Sequence, residues 1–84
     1  MKIFSEIIAH FKGLTVRTHI IHKIYGEQKL TIRKFQPFCA EDRIGFVVNG
    51  HENFMYYDEI EDYSFNGSVF EINGILQKMI IKAI

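Results

Sequence analysis

Residues 43–74, RIGFVVNGHENFMYYDEIEDYSFNGSVFEING, carry three Asn-Gly dipeptides, Asn49-Gly50, Asn66-Gly67 and Asn73-Gly74, each set between apolar or aromatic residues. Asn-Gly is the strongest short-range hairpin signal, because both central residues of a type I′ turn need φ > 0 and these two tolerate it best. Read this way, the last half of the chain is a meander. A two-residue turn at Asn66-Gly67 sets Phe65 opposite Ser68 and Tyr63 opposite Phe70. The same turn at Asn73-Gly74 sets Ile72 opposite Ile75 and Phe70 opposite Gln77. Both registers gather Tyr63, Phe65, Phe70, Ile72, Ile75, Met79 and Ile81 on one side. Asp62, Ser64, Glu71, Lys78 and Lys82 fall on the other. Ile75, Leu76, Met79, Ile80 and Ala83 also fit a helical stripe, but the agreement of registers and the β-branched content favour a strand.

Working outward, residues 43–48 and 51–57 form a hairpin about the first Asn-Gly. Asp58 to Glu61 marks a bend or bulge, since an unbroken flat strand from 51 to 65 would be unusually long. Residues 36–42, with Pro37, read as a loop. Upstream, residues 14–25 and 29–35 pair about a Gly26-Glu27-Gln28 turn, with Ile24 opposite Leu30 and Ile20 opposite Lys34. This register puts Val16, Ile20, Ile24, Leu30 and Ile32 on one face. The opposite face carries Arg17, His19, Ile21, Lys23, Tyr25, Thr31, Arg33 and Phe35. Ile3, Phe4, Ile7, Ile8 and Phe11 recur at helical spacing, so residues 2–12 read as a helix that Gly13 ends in a left-handed cap and whose apolar stripe docks on the sheet.

The expected fold is α+β and mostly β, one domain over residues 1–84. An N-terminal helix precedes a six- or seven-stranded antiparallel meander, with strands at about 14–25, 29–35, 43–48, 51–57, 61–65, 68–72 and 75–83. So many strands in so short a chain would expose long edges unless the sheet curls into a small, partly open barrel.

With 84 residues, 48% of them hydrophobic and 14 of them Ile, the chain can build a single core without metal or cross-links. A lone Cys39 makes no internal disulfide. Ser5, Glu6 and His10 interrupt the apolar run at the start, so residues 1–13 do not read as a secretory signal, and no stretch is long enough to span a membrane. A cytoplasmic location is expected, with no membrane partner. The net charge is zero but unevenly spread. Residues 1–37 hold seven Lys or Arg against two acids, net +5; residues 38–84 hold three against eight, net −5.

The helix-then-strands order resembles, in outline, Sm-like RNA-binding barrels. The Tyr57-Asp58-Glu59-Ile60 corner resembles the bend of bacterial PH-like and PRC-type barrels. No diagnostic motif accompanies either likeness, so no functional residue is transferred from them.

The candidate chemistry is thin. His19 and His22 mimic a metal-binding pair, but residues three apart on a strand point to opposite faces. Cys39 has acids beside it, Glu41 and Asp42, where a reactive thiolate wants positive charge. Asp58, Glu59, Glu61 and Asp62 lack the Gly-punctuated spacing of a calcium loop and read as a solvated bend. No catalytic residue, metal ligand or cofactor is therefore expected. The first-hairpin face, with Arg17, His19, Lys23, Tyr25, Arg33 and Phe35, is the candidate binding surface. The expected role is a non-enzymatic interaction module of bacterial type that contacts an acidic protein or a second copy of itself. Single-stranded nucleic acid or another anionic ligand on the same face comes second, because positive charge interleaved with aromatic rings suits it. A metal-dependent enzyme comes last.

Overall fold

The computed structural model describes residues 2–84. Helix α1 (Lys2–Phe11) is followed by β1 (Val16–His22), β2 (Gly26–Ile32), β3 (Gln36–Cys39), β4 (Arg43–Val48) and β5 (His51–Tyr56). A 3₁₀ turn (Tyr57–Glu59) then leads to β6 (Ile60–Phe65), β7 (Val69–Gly74) and β8 (Gln77–Ala83). All eight strands pair antiparallel, in a five-stranded sheet of order β2-β1-β8-β7-β6 and a three-stranded sheet of order β3-β4-β5. The expected class holds: one helix and a mostly β barrel that does not close.

One core lies between the two sheets and under the helix. The larger sheet supplies Val16, Ile32, Phe70, Ile72, Met79 and Ile81, and the smaller one Ile44, Phe46 and Met55. Ile7 and Phe11 of α1 complete it with Phe35. As read from the sequence, the apolar stripe of the short helix docks on this core. A helix of this length has little stability of its own. Its Phe11 ring packs edge-on against Phe65 and Phe70, so α1 covers the end of the barrel where the β6–β7 turn lies. Gly13, at φ +80°, ends the helix, and its N–H donates to Phe35 O (2.9 Å).

The local details separate what the turn chemistry decides from what it does not. Asn49 and Gly50 take φ of 52° and 79°, and Val48 faces His51, as a type I′ turn requires. At the second Asn-Gly, Phe65 faces Phe70 across a longer connection, because Asn66 Oδ1 accepts from the N–H of Ser68 (3.1 Å) and Val69 (2.9 Å). At the third, Asn73 and Gly74 stay in β7 and the chain turns at Ile75-Leu76, with Ile72 facing Met79. The first hairpin turns at Lys23-Ile24-Tyr25, with Gly26 at φ +88° closing the loop and His22 facing Gly26.

The Asn49-Gly50 register is the expected one, and the other three differ from expectation by an even number of residues up to the bulge between Ile60 and Asp62. The two faces therefore keep their membership wherever the residues remain in strands. Phe35 is the exception. Lys34 sits at φ +53° and throws the chain out of alternation, and Phe35 N–H then donates to Leu14 O (2.9 Å). Its ring is buried in the core, not displayed on the basic face. Residues 36–39, expected as loop, form β3. Pro37 is tolerated there because β3 is an edge strand. The expected bend at 58–61 appears as the 3₁₀ turn and a bulge between Ile60 and Asp62.

Candidate functional site

The outer face of β2, β1 and β8 forms the candidate site, and the unforeseen pairing of β1 with β8 creates it. Thr31, Arg17 and Lys82 lie side by side across the three strands. Two residues along, Lys29, His19 and Ile80 form the next row. Side chains of alternate residues share a face, so both rows point away from the core that Val16, Met79 and Ile81 enter. They surround a shallow hollow of about 440 Å³, in which Arg17, Lys29 and Lys82 stand around His19 and Ile80.

The electrostatics of this hollow differ from those of the other cations. Arg43, on the smaller sheet, donates to Asp42 (2.7 Å) and Glu52 (3.0 Å), and those hydrogen bonds, Glu52 first, raise its pKa further above the usual arginine value. Lys78 pairs with Glu71 (3.1 Å). Arg17, Lys29 and Lys82 have no ion pair among the described residues. Arg17 and Lys82 are direct cross-strand partners, an arrangement that like charges make unfavourable. The His19 imidazole is three-quarters buried; its Nε2 lies 3.5 Å from Glu27 Oε1 but makes no hydrogen bond.

The other expected site residues fall elsewhere. Lys23 and Tyr25 occupy the β1–β2 turn, at the end of the sheet away from α1. Arg33 lies just past β2, beside a separate hollow that includes Lys34 and Val47. Phe35 is in the core. Only Arg17 and His19 of the expected set reach the hollow, and sequence reading missed Lys29 and Lys82. Lys29 has the same parity as Thr31 and was legible once the turn was placed at 23–25. Lys82 was already assigned to an outer face, but no local signal tells that β8 lies beside β1.

The remaining candidates have structural work. His22 Nδ1 accepts from Ile24 N–H (3.1 Å) and Tyr25 N–H (3.3 Å) and so holds the first turn. Glu59 Oε1 accepts from Tyr56 N–H (2.9 Å) and Gln77 Nε2 (3.3 Å), which ties the 3₁₀ corner to β8. Asp62 accepts from Asn73 (2.6 Å). Among the described residues no group of three or more His, Cys, Asp or Glu is placed to hold a metal ion, and no helix is long and apolar enough to cross a membrane. No family profile, curated protein or solved structure matches the chain.

Proposed function

We propose that this protein is a non-enzymatic binding module that docks an acidic protein surface on the outer face of β2, β1 and β8. The observation that carries this reading is the convergence on one hollow of Arg17, Lys29 and Lys82, which have no ion pair among the described residues. Crowding like charges costs the free domain stability, and an anionic partner relieves that cost. A second copy is one such partner, because Asp58, Glu61 and Asp62 are exposed at the β6 edge of the same sheet. Single-stranded nucleic acid is the weaker candidate. It needs aromatic platforms among the cations, and Phe35 is buried while Tyr25 sits in the turn.

The test is titration with a Glu-rich peptide and with an oligothymidylate, alongside sedimentation at low and high salt. The peptide should bind, weaken with salt, and be lost in Arg17→Glu. Tighter binding of the oligonucleotide would give the face to nucleic acid. No binding of either at low salt would remove the proposal. Salt-sensitive self-association that Arg17→Glu abolishes would identify the acidic surface as a second copy.

A further inference from the structure

At the end of the barrel away from α1, two turns expose large apolar side chains side by side. Ile24 is 70% exposed, Tyr25 85%, Ile75 52% and Leu76 43%. The β1–β2 and β7–β8 turns are joined there, Lys23 N–H donating to Leu76 O (2.9 Å). Turns are ordinarily the polar parts of a chain, and none of the four belongs to the core cluster, though the Tyr25 ring lies against His22 (ring centroids 4.6 Å). We propose that this tip inserts into the surface of an anionic lipid bilayer.

Charge and area select the occupant. Lys23 and Lys78 line one small hollow beside Leu76, on the same side as the cationic face, and Lys23 has no ion pair among the described residues. Of the acids nearest the β2 side of the tip, Glu52 is paired with Arg43 (3.0 Å), while Glu27 is exposed and lies 3.5 Å from His19 Nε2 without a hydrogen bond. Asp58 and Glu61 are exposed at the β5–β6 corner, which meets the tip where Ile75 N–H donates to Glu59 O (2.9 Å); in the proposed pose that corner is turned away from the bilayer. The four side chains expose roughly 400 Å², about half of what each partner buries in a standard stable protein interface. That is too little for a dimer. It is enough for a peripheral contact in which a few apolar side chains pass the headgroups while lysines meet anionic lipid. The proposal rests on residues other than those of the hollow and stands independently of the protein-binding reading.

The protein has no Trp, so Tyr25→Trp gives a single emission reporter at the tip. Its emission should shift to the blue with phosphatidylserine-containing vesicles, and much less with phosphatidylcholine alone. Partition in co-sedimentation should fall at least tenfold in the double variant Ile24→Ser with Leu76→Ser, and severalfold in Lys23→Glu. Ile24 and Leu76 lie outside the core, so the double variant should keep its circular dichroism, its melting temperature and its binding of the Glu-rich peptide. The proposal would be overturned by no blue shift at any lipid concentration, by equal binding to both vesicle types, or by full vesicle binding retained in the double Ser variant. A concentration-dependent dimer that the Ser variant abolishes would assign the tip to a second copy and equally overturn it.

Discussion

Replacing Lys82 by glutamate should make the domain more stable and a poorer binder at the same time. Arg17 and Lys82 face each other across β1 and β8, and both are exposed. A directly opposed like-charge pair is unfavourable by a few tenths of a kcal/mol, and an opposite-charge pair is favourable by about 0.2–1 kcal/mol. Reversing the sign therefore changes stability by about 1 kcal/mol at low salt. For a chain of this size, that raises Tm by about 4–8 °C. The gain should shrink towards zero near 1 M salt, where the screening length is about 3 Å. Peptide affinity should meanwhile drop about tenfold, because the hollow loses one of its three cations and gains a repelling acid. Thermal melts at two salt concentrations and a peptide titration test both halves. A variant that melts lower than the wild type at low salt would show that the two side chains splay apart and that the cations do not crowd. A gain that persists in high salt would show that its origin is not electrostatic.

Three further outcomes follow from the packing. Phe35→Ala should cost about 3–5 kcal/mol in urea unfolding, as for a fully buried ring; a loss of binding with unchanged stability would return Phe35 to the surface. Gly45→Ala should unfold or severely destabilise the domain, since a Cβ there would run into the Asn53 carbonyl and come within 2.7 Å of Phe54 Cα; a wild-type melting curve would refute that approach of β4 to β5. Tyr57 has its pKa raised above 10.0, chiefly by burial and then by the nearby Cys39 thiol, so the folded state holds the phenolic proton more tightly than the unfolded state. The associated stability is present below pH 10 and is lost as pH rises through the folded-state pKa. Tyr57→Phe should flatten the alkaline fall in urea stability, and an unchanged slope would contradict it.

The sequence carried side-chain alternation more securely than it carried turns. Of three Asn-Gly dipeptides, only Asn49-Gly50 is the two-residue turn its chemistry suggests. At Asn66 the side chain caps a longer loop, and at Asn73 a strand continues through the pair. The class of fold survived these slips because a register moved by two, four or six residues returns each side chain to its own face, whereas an odd slip would have buried Glu71 and Lys78. Hydrophobic burial penalises odd slips heavily and even slips hardly at all, so composition fixed parity and left register to contacts between distant residues. Phe35 escaped this protection because Lys34, at φ +53°, breaks the alternation, and nothing in a Lys side chain announces a left-handed backbone.

The site was less legible than the fold for a related reason. Charge counted along the chain is basic up to residue 37 and acidic beyond it, yet the hollow takes Lys82 from the acidic half and leaves Arg33 and Lys34 outside. Hairpins are local and are announced by their turns, but the pairing of β1 with β8 joins the two ends of the chain, and only the shared core enforces it. The same pairing places the Lys23–Tyr25 turn against the Ile75-Leu76 turn and so assembles the apolar tip. Taken singly, Ile24 and Ile75 look like core residues of strands, which is how alternation reads them. One non-local strand pair thus generates both the cationic hollow and the apolar tip. Variants that weaken it from inside, such as Met79→Ala, should therefore diminish both activities together, whereas Arg17→Glu and the paired Ser substitutions should separate them.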